Sequence, residues 1–303
     1  MNKKVRTMLL VGDNPFHGIS HLSQEQARSR ADGDVSAADK ADLILTAVEN
    51  GATGFMFSVS DLTLTILKTL REREKIDKLE LHAIVPYVFE YVRIATQTGT
   101  PGLAKNVVKQ MALSGDVQAI FGGLNGAFRM KPESLLKTYV SYEINKIKAA
   151  AGKKANLSSV LLHEVLTDMG LALNFDWLFK SFTSFLSKKG ITPGFNTRNL
   201  PLFVRKFNEW NINLDQTLIA TPFNKAGFQM NPSRTEFENT LSNISSPIVL
   251  AISVLAAGYF KPPEAVAYLA NLSNLKGVVA GVSKESHARE TFKLFDERLN
   301  KNI

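Results

Sequence analysis

The chain predicts an α/β fold, a (β/α)8 TIM barrel with one extra strand or an N-terminal extension. Three observations predict it. Short apolar runs alternate with longer amphipathic segments from one end to the other. The runs are continuously apolar, as in parallel strands buried on both faces. The unit recurs roughly every 30 residues along the 303-residue chain, the size of a strand–helix repeat.

The runs come in order. "MLLVG" (Met8–Gly12), "TGFMFSV" (Thr53–Val59), "LHAIVPY" (Leu81–Tyr87) and "VQAIFGG" (Val117–Gly123) occupy the first half. "VLLHEV" (Val160–Val165), "ITPGFNT" (Ile191–Thr197), "TLIATPF" (Thr217–Phe223), "IVLAISVL" (Ile248–Leu255) and "GVVAGVS" (Gly277–Ser283) follow. Nine strands are one too many for a ring of eight. Either Met8–Gly12 lies outside the ring, where it could plug the barrel bottom, or Val117–Gly123 is an insertion. Between the runs stand helix signals. Ser36 precedes "AADKADLILTAVENG", which stops at Gly51. Pro132 and Pro263 open helices from the first turn, where a missing N–H costs nothing. No linker or composition break appears, so residues 1–303 read as a single barrel domain. A doubly wound sheet is the competing fold, but no G-x-G-x-x-G follows the first run.

Composition narrows the function classes. At 45% hydrophobic and 21% charged, the chain reads as an ordinary globular protein. It has no cysteine, which excludes disulfides, thiolate metal sites, iron–sulfur clusters and cysteine nucleophiles. The basic start "MNKKVRTMLLVGDNP" has too short an apolar run for a signal peptide. "SPIVLAISVLAAGYF" is too short and too interrupted for a membrane span. The expected location is therefore cytoplasmic, with no membrane partner. The net charge of +8 attracts anions, or else reflects lysines on solvated helix faces such as Lys146, Lys148, Lys153 and Lys154. No nucleic-acid motif accompanies it. The sequence leaves a homo-oligomer open.

In such a barrel, chemistry gathers at the C-terminal ends of the strands. The candidate catalytic residues there are Asp13, His17, His21, His163 and Glu164. Two of the five histidines, His17 and His21, share the run "GDNPFHGISH". Asn14, Pro15 and Gly18 are explained by turn chemistry; Asp13, His17 and His21 are not. His163 and Glu164 are adjacent, so on a strand they face opposite ways. Histidine is the side chain suited to general acid/base work or metal ligation at neutral pH. His17, His21 and His163 are the candidate ligands for a divalent metal, with Asp13 or Glu164 to complete the set, although no tight ligand spacing is present. His82 falls early in its run, where a core residue is expected, and His287 falls on the last helix. Ser58, Ser60, Asp61, Glu90, Asn125, Thr197, Thr221 and Ser253 complete the expected rim.

Candidate substrate- or anion-binding residues are Asn14, Tyr87, Asn196, Arg198, Asn224, Lys225, Gly258, Gly281, Ser283 and Lys284. The last two loops carry the sharpest signal. "VVAGVSKESHARETF" reads as strand, tight turn and helix. Backbone N–H groups at a helix start lack partners and favour anions, with Ser283 as cap and Lys284 adding charge. Phosphate sites in barrels commonly use these loops.

The C-terminal part, from about Val160 to Phe292, resembles the aldo-keto reductases. "GFNTRN" is similar to their fifth-strand segment and "TLIATPFNKAG" to the next. "IVLAISVLAAGYFKPPEAVAYL" is similar to their seventh strand and helix, and "VVAGVSKESHARET" to their phosphate-binding turn. "VLLHEVLTD" resembles the segment ending in their catalytic histidine, which implies that role for His163. The N-terminal half departs from that pattern. The family's Asp and Tyr after the second strand and its Lys on the third have no counterparts in "GFMFSVSDL" and "LHAIVPYVFEY".

Three functions follow. The first is a barrel enzyme acting on a small anionic, phosphorylated metabolite by acid/base chemistry of lyase, aldolase or isomerase type. The second is a divergent aldo-keto reductase using NADPH, whose 2′-phosphate would bind at Ser283 and Lys284. The third is a non-catalytic ligand-binding barrel.

Overall fold

The computed structural model describes residues 6–17, 36–87 and 132–300. Within them, eight strands close into a parallel barrel. They are β1 (Met8–Gly12), β2 (Gly54–Ser58), β3 (Glu80–Val85), β4 (Asn156–Leu162), β5 (Thr192–Asn196), β6 (Leu218–Pro222), β7 (Ile248–Ile252) and β8 (Gly277–Gly281). The fold is the (β/α)8 TIM barrel.

The first run is a ring strand. β1 pairs with β2 at Leu10↔Gly54 and with β8 at Met8↔Gly277, which closes the circle. It does not lie outside the ring or plug the barrel bottom. The ninth candidate, Val117–Gly123, lies outside the described residues, as do His21, Glu90 and Asn125.

Period two along each strand divides the core. Leu10, Met56, Ile84, Leu161, Leu218, Ala220, Leu250 and Val279 pack together inside the barrel. The alternate positions, such as Leu9, Val11, Phe55, Phe57, Val160 and Phe195, pack outward against the helices. Glycines let this interior fill. A Cβ on Gly194 would stand 2.4 Å from the Leu161 side chain, and one on Gly277 would stand 2.5 Å from Leu250. His82 shares the inward phase. It is 2% exposed, and its Nδ1 lies 2.8 Å from Ser159 Oγ. It is a buried residue of the barrel interior, as its place in the run suggested.

Nine α-helices surround the ring among the described residues. They are α1 (Ala37–Glu49), α2 (Asp61–Glu72), α3 (Pro132–Ala151), α4 (Glu164–Ala172), α5 (Asp176–Lys188), α6 (Leu200–Glu209), α7 (Arg234–Asn243), α8 (Pro262–Leu269) and α9 (Glu285–Leu299). Ser36 and Ser60 begin α1 and α2 with reciprocal capping boxes to Asp39 and Thr63. α1 ends before Gly51, whose φ of +108° favours glycine. α8 starts at Pro262, one residue before the expected Pro263, since both prolines fit the first turn. Phe179, Phe182, Phe195, Phe203 and Phe207 interlock α5 and α6 onto β5, with Phe203 and Phe207 stacked at 4.0 Å. All five are fully buried. Each contributes about 1.5–3 kcal/mol of transfer free energy. No helix among the described residues is long and apolar enough to cross a membrane.

Candidate functional site

Two groups of polar residues stand at the C-terminal mouth. The first begins at Asp13, immediately past β1. It is 3% exposed, and its Oδ2 accepts the backbone N–H of Ser58 at 2.7 Å, tying the ends of β1 and β2 together. A 3₁₀ turn, Asn14–His17, then folds back over it. Phe16 anchors that turn, buried against Phe55. The turn returns His17 to Asp13 at a four-residue spacing, with Nε2 3.1 Å from the same Oδ2. His17 Nδ1 lies 3.4 Å from the hydroxyl of Tyr87, which follows β3, and the two rings sit 5.1 Å apart.

This geometry fixes the direction of the chain. A carboxylate only accepts, so the neutral imidazole carries its proton on Nε2. Nδ1 is then an acceptor for the Tyr87 O–H. Phenol, imidazole and carboxylate form one line.

The second group begins at His163. Sequence reasoning places it inside a strand that runs to Val165, but β4 ends at Leu162. His163 caps α4 instead: its Nδ1 accepts the N–H of Val165 at 3.2 Å. Glu164 is the first residue of that helix, so the opposite-face rule for strands does not apply to the pair. Because Nδ1 is an acceptor, the neutral ring bears its proton on Nε2. Burial lowers the His163 pKa, as does the Arg198 charge, while Glu164 opposes them. His163 is thus neutral at pH 7 and presents an N–H donor.

Around it runs a network. Glu164 pairs with the guanidinium of Arg198. One turn along α4, Asp168 accepts Thr197 Oγ1 at 2.5 Å and the Arg198 backbone N–H at 3.1 Å. Burial raises the Asp168 pKa against those two hydrogen bonds. Thr221 donates to the Thr197 carbonyl at 2.8 Å, linking β6. The pairing Leu162↔Phe195 places His163 beside Asn196 at the next level. Asn196 is 6% exposed, and its buried Oδ1 has no hydrogen-bond partner among the described residues. Such an orphan acceptor at a mouth calls for a donor.

The remaining sequence candidates fall elsewhere. Asn14 is exposed on the 3₁₀ turn. Asn224 is fully buried; its amide bonds Phe228 N and O and Ser253 O, so it holds the loops after β6 and β7. Lys225 is exposed beside a cleft of about 630 Å³ between α7 and α8, with Arg234, Glu238 and Tyr268. Gly258 is exposed with a φ of +95°. Gly281 is small because a Cβ there would meet Pro15 at 2.8 Å. Ser283 is exposed but does not cap α9. The N-cap is Lys284, and among the described residues no side-chain bond from it caps the first turn. Among the described residues no three His, Cys, Asp or Glu side chains gather to hold a metal ion. His17 and His163 belong to separate groups, and His21 lies outside the described residues.

Asp168 is the main residue that sequence reasoning misses. Its signal is a helical one, four residues after Glu164, and it is invisible while Glu164 is read as strand.

No protein-family description matches the chain, and no curated protein sequence does. Solved structures do. One, assigned to the aldo-keto reductases of Pseudomonas aeruginosa, superposes with a TM-score of 0.60 at 10% identity, covering 97% of this chain and 91% of that one. Another of the same assignment and organism gives 0.59 at 11% identity with the same coverage. At that identity the likeness shows the fold alone: a TIM barrel similar to that of those two structures.

Proposed function

We propose that the chain is a barrel enzyme moving protons at a carbonyl-bearing small metabolite with an anionic end, in chemistry of isomerase or lyase type. The observation that carries this reading is the line Asp13–His17–Tyr87, in which a tyrosine hydroxyl meets an imidazole backed by a buried carboxylate. His163 Nε2–H donates to the substrate carbonyl oxygen and stabilises the charge that develops there as an α-proton leaves. Tyr87 oxygen takes that α-proton while passing its own to His17 Nδ1. The resulting imidazolium is stabilised by Asp13. Reversal returns the proton to carbon or oxygen. The first turn of α9, with Ser283 and Lys284, supports an anionic substituent.

A second reading is a divergent reductase, favoured by His163 and the fold likeness. Ser283, Lys284 and the first-turn N–H groups of α9 would hold the phosphate of NADPH, which supplies hydride when bound. The residues fit only in part: the segments "GFMFSVSDL" and "LHAIVPYVFEY" lack that family's tyrosine acid and lysine, so the proton would come from the Tyr87 hydroxyl.

The test needs no cofactor. Small phosphorylated and carboxylated ketones are incubated with the protein in D2O, and α-proton exchange is followed by NMR. Exchange is expected, and Tyr87→Phe should slow it by roughly 10²–10⁴-fold with the fold intact. No exchange across the panel, together with saturable quenching of protein fluorescence by NADPH, would transfer the assignment to the reductase.

A further inference from the structure

A surface helix of a barrel normally buries its apolar stripe and exposes its polar one. α4 is inverted. Its polar side chains are held inward: Glu164 by Arg198, Asp168 by Thr197 and Arg198, and Thr167 on the Leu162 carbonyl. Its exposed positions, Val165, Leu166, Met169 and Ala172, are all apolar, and the C-cap Leu173 continues them. Five of the seven large hydrophobic side chains exposed among the described residues lie between Val165 and Phe175. The cause is local: the network at the barrel mouth takes every polar side chain the helix has.

We infer that this face of α4 is the core of a twofold interface with a second copy of the chain. Val165, Met169 and Leu173 recur every four residues, about 6 Å apart on one side of the helix. Met169 stands midway between the other two. A twofold axis at Met169 brings Val165 of each copy against Leu173 of the other in an antiparallel crossing, the self-complementary contact that an isologous dimer requires. The stripe carries no charge, so two copies meet there without repulsion despite the net charge of +8. Exposures of 36–54% over the five residues amount to an apolar surface on the order of 400 Å², a size that marks interaction sites. That is about half of the ~800 Å² a partner contributes to a standard interface. The interface lies on the helix whose cap is His163, so assembly braces the rim of the candidate site.

The full chain lacks cysteine, which gives a direct test. Sedimentation velocity is expected to show a dimer at micromolar concentration. Met169→Lys, at a position 54% exposed, should leave circular dichroism unchanged and weaken the dimer by about 100-fold or more. Met169→Cys introduces the one thiol of the chain at the axis and should give a reductant-sensitive covalent dimer on mild oxidation. A wild-type chain that stays monomeric at all concentrations overturns the inference. So does a dimer that Met169→Lys leaves intact. Neither result depends on whether the α-proton exchange above is found.

Discussion

The group at the ends of β1 to β3 sets one acid against a histidine and the group at the ends of β4 and β5 sets two near one, and they are built differently. In the first, His17 and Asp13 side chains are 7% and 4% exposed, and the line includes the Tyr87 hydroxyl. In the second, the carboxylates of Glu164 and Asp168 are committed to Arg198 and Thr197, and the histidine is spent on a helix cap through Nδ1. The first arrangement can shift a proton along its length. The second holds charges and a donor still. A mouth that combines them has a mobile and a fixed half, the division that enolisation needs.

Breaking the mobile half should have the largest effect. His17→Leu removes the acceptor for Tyr87 and leaves Asp13 with the Ser58 N–H alone. Exchange activity should fall by roughly 10²–10⁴-fold, and the double variant with Tyr87→Phe should be little worse than either single one, because the residues act as a unit. Fully additive losses in single-turnover measurements would separate the two residues and dissolve the relay. Stability should fall by about 1–3 kcal/mol from the buried acid left short of a partner.

The fixed half should break in stability first. Arg198→Met leaves Glu164 unpaired, at a site where the two side chains are 36% and 21% exposed. Partial exposure screens the pair, so about 1–2 kcal/mol is expected, between surface and buried values. Urea unfolding at pH 7 measures it. Glu164→Gln combined with Arg198→Met should recover part of the loss; no recovery would show that Arg198 acts through packing rather than charge.

The same contrast explains what the sequence made legible. The strand–helix rhythm follows from local apolarity, so the barrel could be read directly; runs apolar on both faces do not say which of the nine close the ring, and it is the pairing of β1 with β2 and β8 that places Met8–Gly12 in it. Asp13 and His17 stood out because turn chemistry left them unexplained. The chain's departures come where tertiary contact overrides local pattern. "VLLHEV" reads as strand to Val165, but the capping bond from Val165 N–H to His163 ends it three residues earlier. Ser283 reads as a cap, yet α9 begins two residues later, at Glu285. Asn224 reads as a rim residue but is spent on loop backbone. That the exposed face of α4 is apolar is invisible until the partners of Glu164 and Asp168 are known.

The smallest effect, and the sharpest on the fixed half, is the pH dependence of the two groups flanking Glu164. Burial first, and then Arg198, hold the His163 pKa below its ordinary 6.5. The folded state therefore prefers the neutral ring. Its contribution to stability is fully present above pH 6.5 and is lost as pH falls through the lowered folded value. Asp168 runs the other way. Burial raises its pKa above 3.8, so its contribution is present below pH 3.8 and is lost as pH rises through the raised value. His163→Gln keeps a capping acceptor and deletes only the first dependence. Urea midpoints taken from pH 4 to 8 should show the wild type losing stability relative to this variant on the acidic side of 6.5, with parallel curves above it. Curves parallel across the whole range would mean that the ring is not held neutral, and the donor role of His163 would fall with it.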